Sequence, residues 1–146
     1  MPRPPEDENV GVRHGRWGED VAAEQLRLEG LTVIERNVRP CPDDRRIEID
    51  IIAYDRRQDV LVFVEVKQHK ARSAYQRRMR SVGRHKLDLL RRGCRTWLRH
   101  NHWEGSYRFD VIEVYGEPEA AARAEVDHIM HVRLFRNEER FVNWEQ

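Results

Sequence analysis

The chain alternates between segments in which apolar residues recur at helical spacing and short runs that read as strands. Gly15 to Glu29 has apolar residues three or four positions apart, which predicts a helix ended by Gly30. Arg84 to His102 shows the same spacing and predicts a second helix. The apolar stripe of this second helix consists of Leu87, Leu90, Cys94, Trp97 and Leu98.

Runs rich in valine and isoleucine predict the strands. These runs are Thr32 to Arg39, Ile47 to Asp55, Val60 to Lys67, Tyr107 to Tyr115 and the short Val126 to Met130. Only the residues RRQD separate the second run from the third, so we expect a hairpin there. The order α-β-β-β-α-β, with a short strand after it, predicts an α/β fold with a central mixed sheet of about four to five strands flanked by helices.

Length and composition are those of one globular domain of 146 residues. We expect a disordered tail at residues 1–13, one domain at residues 14–135 and a C-terminal tail at residues 136–146. No apolar run reaches the roughly 18 residues of a membrane span, and residues 1–15 lack the apolar core of an export signal. With two scattered cysteines, these features predict a cytoplasmic protein that does not enter the membrane.

Positive charge is concentrated in one part of the chain. Residues 67 to 100 hold twelve lysines and arginines against one acid, a net charge of +11, whereas the remaining residues sum to −10. Such an asymmetry points to a polyanionic partner, most often nucleic acid. A solvated basic helix face is the alternative interpretation.

Three charged residues interrupt the apolar runs of the predicted hairpin, namely Asp50, Glu65 and Lys67. Antiparallel pairing puts the start of one strand beside the end of the next, so we expect these side chains to lie close together. Two adjacent carboxylates repel unless a cation lies between them, and their oxygens suit Mg²⁺ or Mn²⁺. We therefore expect Asp50 and Glu65 to bind the metal, the Val66 carbonyl to add a ligand and Lys67 to position the attacking water. A structural salt-bridge cluster is the alternative.

The alternation of side chains along a strand predicts which residues of the first run share a face. Glu48 and Asp50 should point one way, and Ile47, Ile49 and Ile51 the other. The start of the hairpin should therefore have one acidic and one apolar side.

Glu19 lies on an apolar face of the first predicted helix. It precedes Ala22, Ala23 and Leu26 by three, four and seven residues, which is the spacing of one helical face. The carboxylate either faces the sheet or lies in the first helical turn, where it would interact favourably with the helix dipole. The residues alone leave both interpretations open.

Several of these segments, in this order, resemble the YraN family of small bacterial proteins. The resemblance runs from about Gly15 to Ile129 and rests on GRWGEDVAAEQLRLEG, VIERNVR, IEIDIIAYD, LVFVEVK, RHKLDLLRRGCRTWL and RFDVIEV. The pair EIDIIA and VFVEVK is the most specific part. The resemblance implies a restriction-endonuclease-like fold of the PD-(D/E)xK superfamily, similar to that of archaeal Holliday-junction resolvases.

The resemblance also implies an activity and a set of site residues. Carried over by position, the family's helix glutamate is Glu19, its strand aspartate is Asp50, and its ExK motif is Glu65 with Lys67. The implied protein is a metal-dependent endonuclease on DNA, with branched and single-stranded forms as candidate substrates. The similarity to junction resolvases, which cut two equivalent strands, also points to a homodimer. Family members usually have glycine where Ile47 stands, which leaves the geometry beside Asp50 open. The alternative is a non-catalytic nucleic-acid-binding or adaptor protein that retains the fold.

We expect the basic segment to hold the phosphate backbone beside the metal. Arg84 and Lys86 open the second predicted helix, whose positive N-terminal end favours phosphate. The full set of expected nucleic-acid-binding residues is Lys70, Arg72, Arg77, Arg78, Arg80, Arg84 and Lys86.

Overall fold

The computed structural model describes residues 10–71 and 84–135. Its elements, in chain order, are α1 Val10–Leu28, β1 Thr32–Val38, β2 Ile49–Asp55, β3 Val60–His69, α2 Arg84–His100, β4 Ser106–Tyr115 and β5 Glu125–Ile129. The predicted α/β class is confirmed, and the short last run is a fifth strand. This arrangement is consistent with the restriction-endonuclease-like fold that the family resemblance implies.

The five strands follow one another across a single sheet in chain order. β1, β2 and β3 pair antiparallel, and Ile51 faces Val64 in the predicted hairpin. β4 pairs with β3 in parallel, which requires the crossover that contains α2, and β5 returns antiparallel. β3, which carries Glu65 and Lys67, is therefore the central strand.

One helix covers each face of the sheet. Ala22, Ala23 and Leu26 of α1 are fully buried against one face. The other face packs against the predicted apolar stripe of α2, of which Leu90, Cys94, Trp97 and Leu98 are buried. Within residues 10–71 and 84–135, neither helix combines the length and the apolar character of a membrane span.

The first helix begins at Val10, five residues earlier than the pattern predicted. Residues 10–13 are therefore helical and do not belong to a tail. The polar sequence here gives no apolar periodicity, but His14 is buried and its Nε2 lies 3.2 Å from Oε2 of Glu119. The earlier start places Glu19 in the middle of the helix, so its interpretation as a first-turn residue is wrong.

The expected alternation at the start of β2 is wrong between Ile49 and Ile51. Ile49 packs in the core under α2, whereas Ile51 packs in the core under α1. Regular pairing with β3 begins only at Ile51, and before it the carboxylate of Asp50 accepts the N–H of Val66 at 2.8 Å. Because β2 is not paired with β3 before Ile51, its side chains do not alternate regularly there. The side chain of Asp50 therefore turns towards the end of β3.

A glycine in α2 allows the close approach of the segment that leads into β2. A Cβ atom at Gly93 would lie 2.6 Å from Cγ2 of Ile47 and 3.8 Å from Cδ1 of Ile49. Ile47 is buried in this contact. The helix therefore fixes the residues on either side of Glu48, and with them the approach to Asp50.

Candidate active site

Acidic side chains from two parts of the chain meet where β2 begins and β3 ends. Glu19 comes from α1, Glu48 immediately precedes β2, and Asp50 is the second residue of β2. Each offers an oxygen, and these three oxygens lie within 4.8 Å of one another. All three side chains are half-buried. Closely spaced carboxylate oxygens of this kind can hold a hard cation.

Glu65 joins this group through Asp50. It is only 7% exposed, and burial, with the nearby charge of Asp50, raises the pKa of Glu65 from 4.5 to about 8 against the opposing effect of Lys86. When both carboxylates are ionised, Oε2 of Glu65 is buried and accepts no hydrogen bond from the described residues. A proton or a cation shared by Asp50 and Glu65 would remove the repulsion between the two carboxylates and give the buried oxygen a partner.

Asp50 shows the same effect. Burial raises the pKa of Asp50, although the N–H of Val66 and a hydrogen bond with Glu65 favour its charged form. Mg²⁺ or Mn²⁺ fits this pair of residues, because the ion would neutralise both charges and give the buried oxygen of Glu65 a partner. The donor set is therefore chemically suited to the expected metal.

Glu19 approaches the same point from α1. Gly18 makes this possible, since a Cβ atom there would lie 3.0 Å from Cβ of Gln68 at the end of β3. Burial raises the pKa of Glu19 from 4.5 to about 7, and the charges of Asp50 and Glu48 add to the effect. This carboxyl group can therefore exchange a proton for a cation near neutral pH.

Lysines from β3 and α2 supply positive charge. Lys86 lies against Glu65, with its Nζ 3.5 Å from Oε1. Lys67 is half-buried, follows Glu65 by two residues on the same side of β3, and pairs in register with Glu113 of β4. Lys86, predicted only as a phosphate ligand, thus belongs to the carboxylate cluster as well.

The remaining predicted nucleic-acid-binding residues are placed only in part. Lys70 is exposed just after β3, and Arg84 is the first residue of α2. Arg72, Arg77, Arg78 and Arg80 lie outside the described residues. On the outer surface of α2, an open cavity of about 300 Å³ is lined by residues of the basic segment that were not among the named nucleic-acid-binding residues: Asp88, Arg91, Arg92, Arg95 and Arg99.

Sequence reasoning also missed two residues at the carboxylate cluster. Glu48 had a usable signal, because it precedes Asp50 by two residues and was expected to share its face. Asn37, at the end of β1, had none beyond its place in the stretch VIERNVR. With its NH₂ group turned to the carboxylates, the Asn37 amide lies within hydrogen-bonding distance of both Glu19 and Glu48.

A second group of candidate ligands is electrostatically different. His14, Glu117 and Glu119 also offer ligand atoms within 4.8 Å of one another. Glu119, however, pairs with Arg13 at 3.0 Å and with His14 at 3.2 Å, and its side chain is half exposed. Arg13 therefore compensates the charge of Glu119, whereas the carboxyl groups of Asp50 and Glu65 repel each other and have raised pKa values.

Comparison with known proteins supports the resemblance found in the sequence. The family model described as "Uncharacterised protein family UPF0102" matches residues 18–114, which include all the candidate site residues from Glu19 to Lys86. A UPF0102 protein of Parafrankia sp. (strain EAN1pec) is 40% identical over 116 residues, covering 80% of this chain and 93% of the relative. A UPF0102 protein of Streptomyces griseus is 45% identical over 102 residues, 68% of this chain and 80% of the relative.

A more distant relative extends the match along the chain. A UPF0102 protein of Pelobacter propionicus is 35% identical over 128 residues, covering 87% of this chain and 84% of the relative. The family-model match at residues 18–114 spans the second half of α1, strands β1 to β3, α2, nearly all of β4 and the carboxylate cluster. The expected resemblance is confirmed, and the chain belongs to the UPF0102 family of YraN-like proteins.

Proposed function

We propose that this protein is a metal-dependent endonuclease that hydrolyses phosphodiester bonds in DNA. The observation that carries the proposal is the meeting of the half-buried Asp50 and the buried Glu65, two carboxyl groups whose pKa values are raised. Burying like charges together destabilises a fold unless a cation or a proton offsets them. A divalent cation bound by both Asp50 and Glu65 would offset this cost.

The metal-binding residues follow from this geometry. Asp50 and Glu65 would hold Mg²⁺ or Mn²⁺, the Val66 carbonyl would be a further ligand, and Glu19 would contact the ion or its waters. When bound, such an ion supplies an activated water at neutral pH and offsets negative charge on the phosphate.

The two lysines have separate roles in this proposal. Lys67 holds the attacking water and orients it towards the phosphorus atom. Lys86 stabilises the negative charge that develops on the phosphate oxygens, since its ammonium group already lies beside Glu65. The ammonium groups thus act on opposite sides of the displacement, one on the nucleophile and one on the phosphate.

The charge distribution supports a nucleic acid as the partner. The segment from residue 67 to residue 100 carries a net charge of +11, and it includes Lys86 and the arginines that line the cavity on α2. Guanidinium groups bind phosphate oxygens through paired N–H donors. DNA, and a branched or single-stranded form of it, is the substrate that the resemblance to junction resolvases favours.

A cleavage assay tests the proposal. Labelled single-stranded, duplex, flap and four-way-junction DNA would be incubated with Mg²⁺, Mn²⁺ or EDTA. We expect metal-dependent cleavage that is lost in Glu65→Gln and Lys67→Ala. The matched control is Glu117→Gln, which removes an acid from the other candidate group and should cleave like the wild type.

One observation favours a second function, that of a non-catalytic nucleic-acid-binding protein. Lys86 pairs with Glu65, and Arg36 lies 3.9 Å from Glu19, so cations of the chain itself offset part of the acidic charge. In the same assay, this function predicts DNA binding without cleavage in any metal, and binding that Glu65→Gln leaves unchanged. That result would overturn the nuclease proposal.

A further inference from the structure

Asn37 has an unusual backbone conformation at the end of β1. Its φ angle is +52°, in the left-handed region that side chains other than those of asparagine and aspartate seldom adopt. Three other non-glycine residues have a positive φ among the residues that the structure describes: Asp59, His102 and His131. All three lie in turns or loops, whereas Asn37 lies within a strand. Such strain persists only where the surroundings hold it.

The side chain of Asn37 shows what holds it. With the NH₂ group turned to the acids, its nitrogen lies 2.9 Å from Oε2 and 3.1 Å from Oε1 of Glu19. The same nitrogen lies 3.0 Å from Oε1 of Glu48. One amide therefore links a carboxylate of α1 to a carboxylate that leads into β2. Both of these carboxylates have an oxygen within 4.8 Å of Asp50.

We propose that Asn37 is a positioning residue that sets the distance of Glu19 and Glu48 from Asp50, so that the cluster is preformed for a divalent cation. An amide is suited to this role because it donates hydrogen bonds without carrying charge. A lysine or arginine in its place would neutralise the acids and compete with the cation. Arg36, the neighbouring cation, lies 2.7 Å from Asp20 and 3.9 Å from Glu19, so its closer contact is with an acid outside the cluster.

The inference rests on the proposed metal site, but its geometry does not depend on DNA cleavage. Residues that orient metal ligands without touching the metal change metal affinity or activity by about 10- to 100-fold when they are replaced. The amide of Asn37 is placed to act in this way on Glu19 and Glu48. Its loss should therefore weaken cation binding even when the fold is intact.

Two variants separate the side chain from the backbone. Asn37→Gly tolerates the positive φ and removes the amide, so the melting temperature should stay close to that of the wild type. Asn37→Asp keeps the shape but replaces the donor by a further negative charge. The control is Asn101→Gly, which removes an amide that donates to the Trp97 carbonyl at the end of α2.

Mn²⁺ affinity is measured first, by calorimetry and by the electron paramagnetic resonance of free Mn²⁺, without DNA. We expect about a tenfold loss of affinity in Asn37→Gly and no change in Asn101→Gly. In cleavage assays at subsaturating Mn²⁺, kcat should fall in Asn37→Gly while KM for DNA stays unchanged. Wild-type Mn²⁺ affinity and kcat in Asn37→Gly would overturn the proposal. Asn37 would then only accommodate the positive φ of the backbone, without positioning the acids.

The same experiment separates this inference from the proposed function. Mn²⁺ binding by a wild type that cleaves none of the DNA substrates would overturn the nuclease proposal, and the affinity of Asn37→Gly would still decide the role of Asn37. A wild type that binds no Mn²⁺ would overturn both, since Asn37 would have no cation site to shape.

Discussion

The carboxylate of Asp50 connects the two halves of the candidate site. It accepts the N–H of Val66, hydrogen-bonds with Glu65 when one of the two is protonated, and lies within 4.8 Å of oxygens of Glu19 and Glu48. The proton and cation occupancy of any one of these acids therefore affects the others. At the scale of single residues, the site is one coupled group of carboxyl groups rather than a set of independent ligands.

The coupling predicts how pH and Mg²⁺ act on stability. The pKa values of Glu65 and Glu19 are raised from 4.5 to about 8 and about 7, so the folded protein binds protons more tightly than the unfolded chain. Their stabilising contribution is complete below about pH 4.5 and is lost as pH rises to about 8. Without divalent cations, we expect these groups to lower the melting temperature over this range.

Mg²⁺ should reverse this loss, because it binds the deprotonated carboxylates. Thermal unfolding with and without Mg²⁺ should therefore show a larger rise in melting temperature at pH 8 than at pH 5. In Glu65→Gln the difference between the two pH values should shrink. A Mg²⁺ effect that is equal at both pH values would contradict the assignment of these acids as the cation site.

At the scale of elements, apolar patterning was enough to predict the two helices, the five strands and the hairpin of residues 10–71 and 84–135. The start of α1 was not predictable, because residues 10–14 show no apolar periodicity and the partner of the buried His14 is Glu119, far along the chain. The opposite burial of Ile49 and Ile51 depends on where β2 leaves β3, which no local pattern encodes. The acids at strand ends were predictable from alternation and antiparallel pairing, whereas the link through Asn37 arises only from the packing of β1 against α1.

The contact between α2 and the start of β2 can be tested by substitution. Gly93→Ala would place a methyl group 2.6 Å from Cγ2 of Ile47, so we expect a loss of about 1–3 kcal/mol in the free energy of unfolding. Ile47→Ala removes that methyl partner, and in its background Gly93→Ala should cost much less. Denaturant titration of the four proteins measures the coupling, and strictly additive effects would show that the two residues do not touch.

A buried ionic network ties the other end of α1 to the sheet. His128 of β5 lies 2.8 Å from Glu29 and 2.8 Å from the fully buried Asp110, which also contacts Arg108. Burial alone would lower the pKa of His128, but the hydrogen bonds and charges of Asp110 and Glu29 together raise it above 6.5. The network holds β4, β5 and the end of α1 together.

Removal of His128 should therefore destabilise the fold. We expect His128→Ala to cost about 3 kcal/mol at pH 6, because a buried carboxylate loses one of its partners. The stabilisation is complete below the unfolded pKa of about 6.5 and is lost as pH rises through the higher pKa of the folded protein. The cost of the substitution should accordingly decrease at alkaline pH. Urea titrations at pH 6 and pH 9, with the exposed His100→Ala as control, measure both effects, and an equal cost at the two pH values would argue against a charged His128.

At the scale of the whole molecule, opposite charges are segregated although the net charge is only +1. The acidic cluster lies at the end of β3, and the basic segment begins at that point and continues through α2. The arginines that line the α2 cavity extend this basic surface around the outside of the helix. A polyanion could thus contact the molecule both at the carboxylate cluster and along α2.

This distribution predicts a strong salt dependence of DNA binding. Because binding to phosphates releases counterions, the logarithm of the binding constant should fall linearly with the logarithm of salt concentration. Replacing Arg95 and Arg99 by alanine should reduce the slope by about one for each phosphate that the variant no longer binds. Arg56→Ala, in the turn at the far end of the hairpin, should leave the slope unchanged. Equal slopes in all three proteins would exclude the α2 arginines from the interface.

The hydrogen bond between Val66 and Asp50 has a practical consequence. An amide proton that is bound to a carboxylate changes its nuclear magnetic resonance frequency when that carboxylate gains or loses charge. The Val66 amide donates directly to the central acid of the cluster, at 2.8 Å. Its signal in a ¹⁵N-labelled sample should therefore follow protonation and cation loading of the site, without an attached probe and before any substrate has been identified.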